Sequence, residues 1–209
     1  MIEVAPHLRP FAEMSPKRLS IVLAALALAA ILAVGLVELA GDRSPASTPS
    51  KLTLAQMRAD LRGSPTALAG LHAQASEILA GGLPALRTRL AALRGRPMVV
   101  NKWASWCEPC RAEFGFFQRV SLSQGRQVAF IGIDTADTRT NAQNFLRSFP
   151  VSYPSYFDPS GQIGEAIADS DSTPVTVFYD RNGSRYIRQG PYPSAAKLEQ
   201  DVRRYALVG

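Results

Sequence analysis

The 209-residue chain contains two cysteines, and both lie in the segment NKWASWCEPCRAEF, residues 101–114. Two residues separate Cys107 from Cys110, and Cys107 directly follows Trp106. Two cysteines at this spacing have three chemical uses. They can bind a metal ion, form a structural disulfide, or act as a redox pair that alternates between dithiol and disulfide.

A metal site and a structural disulfide both explain the pair poorly. A structural zinc site needs four ligands, usually Cys or His, and the only histidines of the chain are His7 and His72. A disulfide between such close residues closes a very short loop, which stabilises a fold by only about 2 kcal/mol in the chain-entropy model. These two uses are the weaker alternatives, and we expect no metal or other cofactor.

A redox pair accounts for the neighbouring residues as well. A cysteine that opens a helix meets free backbone N–H groups and the helix dipole, which stabilise its thiolate. This predicts Cys107 as the attacking thiolate and Cys110, one turn further on, as the shielded thiol that resolves the mixed disulfide. Glu113 shares a helix face with Cys110 and can take up or return its proton. Glu108 places negative charge beside the thiolate, which favours a more reducing pair.

The elements around the cysteines predict a parallel βαβ unit. Residues 97–104 (PMVVNKWA) and 127–133 (QVAFIGI) are short apolar runs rich in β-forming residues. Between them, residues 107–123 have apolar side chains at helical spacing. A strand, a helix and a strand in this order predict two parallel strands joined by a right-handed crossover.

The C-terminal half of the chain predicts further elements. Residues 139–149 favour a helix, and a short extended piece and a DPSG turn follow it. Two strands at 173–179 and 184–190, joined through DRNG, are typical of a hairpin. Residues 195–205 predict a closing helix.

The N-terminus predicts a membrane anchor. Residues 19–37 are apolar and uncharged, and as a helix they would extend about 28 Å, close to the thickness of a hydrocarbon core. Lys17 and Arg18 precede this run, which places the N-terminus in the cytoplasm. We expect a cytoplasmic tail at 1–18, a single transmembrane anchor at 19–40 and a flexible linker at 41–50, so that the rest of the chain is extracytoplasmic. A cleaved signal peptide is the alternative.

Residues 51–94 predict a helical extension. Gly81-Gly82 separates two helical stretches, and the first carries an apolar face made by Leu68, Leu71, Ala75, Ile78 and Leu79. The chain has a net charge of +6, and this extension is rich in arginine. No aromatic residues alternate with these arginines, so a solvated helix face is expected rather than a nucleic-acid surface. A membrane-surface role for these arginines is the alternative.

The segments VVNKWASWCEPCRAEF and TPVTVFYDRNG together resemble the membrane-anchored, extracytoplasmic thioredoxins of the TlpA/ResA type. Many of those proteins serve cytochrome c maturation. The resemblance covers about residues 95–207 and implies an α/β thioredoxin fold for 95–209, with a central mixed sheet flanked by helices. It also implies a helix-plus-strand insertion at about 134–160 and a cis peptide bond between Thr173 and Pro174.

The predicted site has a redox group and a substrate-binding group. Cys107, Cys110 and Glu113 are expected to perform catalysis. Thr173 is expected to pair through its backbone with an extended substrate strand. The substrate-binding set is Trp106, Glu108, Thr173 and Pro174.

Three residues depart from the pattern of the family, and one of them is Gly115, which replaces the proline that commonly kinks the active-site helix. Asn101 stands where ordinary thioredoxins have a buried Asp, so proton transfer is left to Glu113 or water. Lys102 occupies a position that is usually aromatic or aliphatic. Its charge must therefore extend to solvent or find a partner.

These observations predict a membrane-tethered thiol–disulfide oxidoreductase that reduces protein cysteines. Cysteine-containing proteins such as apocytochrome c are the expected substrates, and a membrane thiol donor or electron relay is expected to recycle the pair. No nucleic-acid partner is expected. Two alternatives remain, an oxidant that installs disulfides and a redox-silent thioredoxin-like binding scaffold.

Overall fold

The structure is a computed structural model that describes residues 52–208. The predicted cytoplasmic tail, anchor and linker therefore lie outside the described residues. Within 52–208, no helix is both long enough and apolar enough to cross a membrane.

The described residues form one mixed sheet of six strands with helices around it. The strands are β1 (Ile78–Leu79), β2 (Met98–Trp103), β3 (Ala129–Thr135), β4 (Ser155–Asp158), β5 (Val175–Tyr179) and β6 (Arg185–Gln189). The helices are α1 (Leu54–Asp60), α2 (Thr66–Ala73), α3 (Gly82–Ala92), α4 (Glu108–Gln124), α5 (Arg139–Ser148), α6 (Gln162–Ala168) and α7 (Ala195–Val202), and a π-helical turn (Arg203–Leu207) follows α7.

The strand order is β1-β4-β3-β2-β5-β6, which confirms the predicted thioredoxin-like sheet. Strands β2 and β3 are parallel and α4 connects them, while β5 and β6 form an antiparallel hairpin. Every residue of β2 and β3 is buried, because helices cover both faces of these central strands. Strand β6 lies at an edge and is largely exposed, as its charged residues require.

The predicted insertion contributes α5 and β4. Strand β4 pairs in parallel with β3 and extends the sheet beyond the thioredoxin core. Helix α6 follows β4 directly, although the sequence predicted only a turn there. Asp158 holds the start of this helix, because its carboxylate accepts hydrogen bonds from the backbone N–H groups of Ile163 and Gly164 at 3.0 and 2.9 Å.

The prediction of a helix through Ala75, Ile78 and Leu79 is wrong, because the helix ends before these residues. Helix α2 ends at Ala73, and β1 pairs in parallel with β4. Ser76 adopts a positive φ of 59° and its backbone N–H donates to the carbonyl of Tyr153 at 3.0 Å. Pairing with a strand far along the chain therefore outweighs the helical spacing of the apolar residues.

Apolar clusters on the two faces of the sheet form the core. Alternate residues of β2 point to opposite faces, so Val99 and Trp103 join one cluster and Met98 and Val100 join the other. The second cluster includes residues of the helical extension, namely Leu68, Leu71, Leu86 and Leu93. The extension and the thioredoxin-like sheet thus share one core.

His72 is a buried residue that binds the extension to the rest of the fold. Its two ring nitrogens lie 3.3 Å from the carbonyl oxygen of Ser152 and 3.1 Å from that of Gly125. His72 is therefore a core residue that contacts two distant loops. Within residues 52–208, no group of three or more His, Cys, Asp or Glu side chains is placed to hold a metal ion.

Candidate active site

Cys107 is the N-cap residue of α4. Its backbone is extended (φ −79°, ψ 106°), and its Sγ accepts a hydrogen bond from the backbone N–H of Cys110 at 3.2 Å. Pro109 lies in the first turn, where its missing N–H leaves no hydrogen bond unmade. The sulfur therefore lies where free N–H groups and the dipole of a 17-residue helix favour negative charge.

Cys107 and Cys110 form a disulfide in this structure. Cys107 is 4% exposed and Cys110 is fully buried. Both cysteines are thus buried in the disulfide form, and Cys107 keeps slightly more exposed surface than Cys110.

The loop before β5 reaches the cysteines. The Thr173-Pro174 peptide bond is cis, and the carbonyl oxygen of Thr173 lies 3.8 Å from Cys107 Sγ. The carbonyl of Pro174 accepts a hydrogen bond from the backbone N–H of Gly190 at 3.0 Å, which attaches the loop to the hairpin. The fold thereby brings together two motifs that are 66 residues apart in the sequence.

Trp106 and Glu108 flank Cys107 on the surface. The Trp106 side chain is 61% exposed, and its Nε1–H donates to the carbonyl of Ala136 at 2.9 Å. Its indole is therefore held in place while much of its surface faces solvent. Glu108 is exposed in the first turn of α4.

Glu113 is fully buried and held by two donors. Its carboxylate accepts hydrogen bonds from the backbone N–H of Tyr192 at 2.8 Å and from Asn101 Nδ2 at 3.2 Å. Burial raises the pKa of Glu113 to about 8, although both hydrogen bonds favour the charged form. A carboxyl with this pKa can hold or release a proton near neutral pH.

Sequence reasoning missed the residues that hold Ser105, just before the cysteine motif. The backbone N–H of Ser105 donates to Asp137 Oδ2 at 2.6 Å, and its carbonyl accepts from Arg111 Nη1 at 3.2 Å. Asp137 precedes Thr138, the N-cap of α5, so a helix start is visible in the sequence. Nothing in the sequence indicates that its carboxylate reaches a residue 32 positions earlier.

A depression of about 300 Å³ lies beside the motif, between α5 and the N-terminal end of α4. The Arg111 guanidinium lies over the rings of Phe145 and Phe149, 5.1 and 5.6 Å from their centroids. The walls of the depression are polar, cationic and aromatic, and its lining residues are Ser105, Arg111, Asn141, Asn144, Phe145, Ser148 and Phe149.

The fold and the site define a thioredoxin-like protein with a pair of cysteines separated by two residues. The first cysteine caps the helix that follows a central strand, and a proline loop lies against its sulfur. The chain belongs to the Redoxin family, whose model matches residues 73–201. This match begins within the helical extension.

The chain is similar to curated relatives with names that describe thiol–disulfide chemistry. It is 26% identical over 98 residues to thiol-disulfide oxidoreductase ResA of Bacillus subtilis, covering 46% of this chain and 54% of that protein. It is 34% identical over 91 residues to thiol:disulfide interchange protein DsbE of Escherichia coli (strain K12), covering 43% of this chain and 47% of that protein. The chain thus spans about half the length of these relatives.

Two solved structures are similar to the described fold. DsbF from MTB matches with a TM-score of 0.51 and 27% identity, over 55% of this chain and 84% of that chain. A DsbE-type thiol:disulfide interchange protein from Chlorobium tepidum matches with a TM-score of 0.50 and 26% identity, over 56% and 84%. These comparisons confirm the predicted ResA-type resemblance and the thioredoxin-like fold.

Proposed function

We propose that this chain is a thiol–disulfide oxidoreductase that acts on the cysteines of protein substrates outside the cytoplasm. One observation carries the proposal. Cys107 Sγ accepts a hydrogen bond from the backbone N–H of Cys110 at the N-terminus of α4 and forms a disulfide with Cys110. The same sulfur lies 3.8 Å from the carbonyl oxygen of Thr173. The names of the ResA and DsbE relatives support the same chemistry.

In the reducing direction, the Cys107 thiolate attacks one sulfur of a substrate disulfide. The substrate S–S bond breaks, one substrate sulfur leaves as a thiolate that takes up a proton, and a mixed disulfide forms. The Cys110 thiol then loses its proton and attacks Cys107 Sγ, which releases the second substrate thiolate. Two electrons pass to the substrate, and the Cys107–Cys110 disulfide remains.

Glu113 is the proposed acceptor for the proton of Cys110. It lies three residues beyond Cys110 on the same helix, and its pKa of about 8 keeps both protonation states available near neutral pH. The Tyr192 amide and Asn101 hold its carboxyl in one orientation. Asn101 has no titrating proton, so it serves as a hydrogen-bonding partner.

We place the enzyme on the reducing side, as in cytochrome c maturation. The Glu108 carboxylate repels a thiolate on Cys107, so it disfavours the reduced form of the pair and makes the pair a stronger reductant. Cysteines of apocytochrome c are the proposed substrate class. A membrane thiol donor or electron relay would return electrons to the disulfide. Anchoring through residues 19–40 is part of this proposal, based on their apolar run and on Lys17 and Arg18.

The test combines trapping with a potential measurement on the full chain in detergent. Cys110→Ala should accumulate a mixed disulfide with a cysteine-containing protein, because the resolving thiol is gone, and Cys107→Ala should form none. Equilibration with glutathione should give a potential more negative than the roughly −180 mV of a disulfide isomerase. A potential near about −120 mV would identify an oxidant. A Cys110→Ala variant that traps nothing would instead indicate a binding scaffold.

The location is tested separately. A reporter that is active only outside the cytoplasm, fused after Gly209, should be active. Activity of a reporter that works only in the cytoplasm would contradict the proposed topology.

A further inference from the structure

Lys102 is a buried cation on β2, five residues before Cys107. It is 3% exposed, and its Nζ donates a hydrogen bond to the backbone carbonyl of Ser170 at 2.8 Å. Burial lowers its pKa, against the attraction of Asp171 in the loop before β5, Asp158 at the end of β4 and Glu165 in α6. The lysine that the sequence marked as unusual thus has a specific backbone partner.

The fold leaves room for this lysine at a glycine of α6. A Cβ atom on Gly164 would lie 2.7 Å from Lys102 Cε and 2.9 Å from Cδ, closer than atoms can pack. Gly164 is itself held by the Asp158 carboxylate at 2.9 Å. The lysine stem therefore passes against the backbone of α6, where a larger residue than glycine would force the lysine side chain to shift.

Ser170 is the first residue of the loop 170–174, which lies against Cys107 and leads into β5. Its side-chain Oγ accepts a hydrogen bond from the backbone N–H of Ser172 at 3.1 Å. Thr173 follows, and its carbonyl oxygen lies 3.8 Å from Cys107 Sγ. The backbone of Lys102 is also the ladder partner of Val175, the first residue of β5. One residue therefore contacts both ends of the loop, Ser170 through its side chain and Val175 through its backbone.

We propose that Lys102 is a positioning residue for the substrate-binding loop 170–174. The inference rests on the proposed function, because it assigns Lys102 to the same substrate site. Lys102 touches neither the sulfurs nor the substrate, and it acts by holding the Ser170 carbonyl so that Thr173 lies against Cys107. Without it the loop must be ordered each time a protein strand binds, and binding weakens. A small disulfide that makes no backbone pairing with the loop does not depend on this order.

The experiment follows a single turnover of the pre-reduced full chain and of its Lys102→Met variant, which keeps most of the side-chain volume and loses the donor. The Cys107–Cys110 dithiol supplies the two electrons, and KM here means the disulfide concentration that gives half of the maximal single-turnover rate. Insulin serves as the protein disulfide, and hydroxyethyl disulfide serves as the small one. We expect KM for insulin to rise about tenfold, as for the loss of one charge-assisted hydrogen bond, with a rate on hydroxyethyl disulfide within about twofold of the original. Arg94→Met, which removes an exposed cation, is the charge-matched control and should change neither rate. Equal losses on both disulfides, or no loss on either, would overturn the proposal.

Hydrogen exchange measures the loop without relying on activity. In Lys102→Met, amide exchange should accelerate in residues 170–176 and stay unchanged in β3 and α4. Unchanged exchange at 170–176 would contradict the positioning role even if activity fell. If the unmodified chain reduces neither disulfide, the proposed function fails, while the exchange result still decides whether Lys102 orders the loop.

Gly164→Ala gives an independent variant. In the original chain the added methyl group should displace the lysine and reproduce the selective rise in KM for insulin. In a Lys102→Ala background the same methyl group has space and should cause no further rise. If the effects of Gly164→Ala and Lys102→Ala on KM for insulin are additive, Gly164 acts independently of Lys102. That result would contradict the geometry.

Discussion

At the scale of single residues, the site depends on the hydrogen bonds of the buried polar side chains near the cysteines. Glu113 accepts from the Tyr192 amide and from Asn101 Nδ2, while Asn101 Oδ1 has no partner among the described residues. A protonated Glu113 can donate to that oxygen if the amide turns over, and the orientation of an amide is assigned from its hydrogen bonds. The pair can therefore accommodate both protonation states of the carboxyl, as a proton carrier requires.

Glu113→Gln should change the pH profile of thiol exchange. Glutamine keeps the shape and the hydrogen bonding of the side chain but has no titrating proton. We expect slower resolution of the mixed disulfide around pH 8 and loss of the step that Glu113 contributes to the profile. The measurement is the rate of substrate release against pH for both proteins. Superimposable curves would leave Glu113 with a packing role only.

The same variant should alter how stability depends on pH. The folded pKa of Glu113 is about 8 and its ordinary value is 4.5, so the folded state binds the proton more tightly. Its contribution to stability is therefore fully present below pH 4.5, is lost as pH rises to about 8, and is constant above that. Relative to Glu113→Gln, the original chain should lose stability between pH 5 and pH 8, by on the order of a few kcal/mol.

Urea unfolding of the two oxidised proteins at both pH values measures this difference. Asp134, another buried carboxyl whose pKa burial raises to about 8, is present in both proteins and cancels in the comparison. Glu108→Gln removes one carboxylate at an exposed position and controls for the change in net charge. A difference between the original chain and Glu113→Gln that is equal at pH 5 and pH 8 would contradict the raised pKa.

At the scale of elements, the insertion and the helix after it support the active-site loops from one side. Helix α5 forms a wall of the depression beside Ser105, and α6 carries the glycine against which Lys102 packs. Helix α6 has only seven residues, so its position depends on the contacts at its start. The Asp158 carboxylate provides those contacts, and it also accepts a hydrogen bond from Thr135 Oγ1 at 3.2 Å.

Asp158→Ala should destabilise the fold by on the order of 2–4 kcal/mol, because two buried backbone N–H groups and a hydroxyl lose their acceptor. The matched control is Asp180→Ala in the β5–β6 turn. Asp180 also accepts from two backbone N–H groups, those of Asn182 and Ser184, but it does so at the surface. Its loss should reduce the free energy of unfolding by about 1 kcal/mol or less. Equal losses in the two variants would show that α6 does not depend on Asp158.

At the scale of the whole molecule, the helical extension is part of the packing of the sheet. Four of its leucines lie in the cluster that covers one face of β2 and β3, and β1 extends the sheet beyond β4. Each buried leucine contributes about 1.5–3 kcal/mol, so the four together are comparable with the roughly 5–15 kcal/mol that stabilises an ordinary domain.

Removal of residues 1–94 should therefore abolish cooperative unfolding, whereas removal of residues 1–50 should preserve it. Thermal unfolding followed by near-ultraviolet circular dichroism distinguishes the two, because this signal depends on fixed packing of aromatic side chains. A cooperative transition at the same temperature for both truncated chains would mean that the extension is separable from the sheet.

The sequence by itself determined the features that depend only on residues close together in the chain. The spacing of Cys107 and Cys110, the apolar runs of β2 and β3 and the DRNG turn depend on backbone periodicity and turn geometry over a few positions. Tertiary structure alone decided that residues 78–79 form a strand, because the pairing partner β4 lies far along the chain. It also decided the partners of the buried polar groups: Glu113 meets an amide 79 residues away, and Lys102 meets a carbonyl 68 residues away. Such contacts follow from how whole elements pack, and a polar side chain indicates only that it needs a partner when buried, not which one.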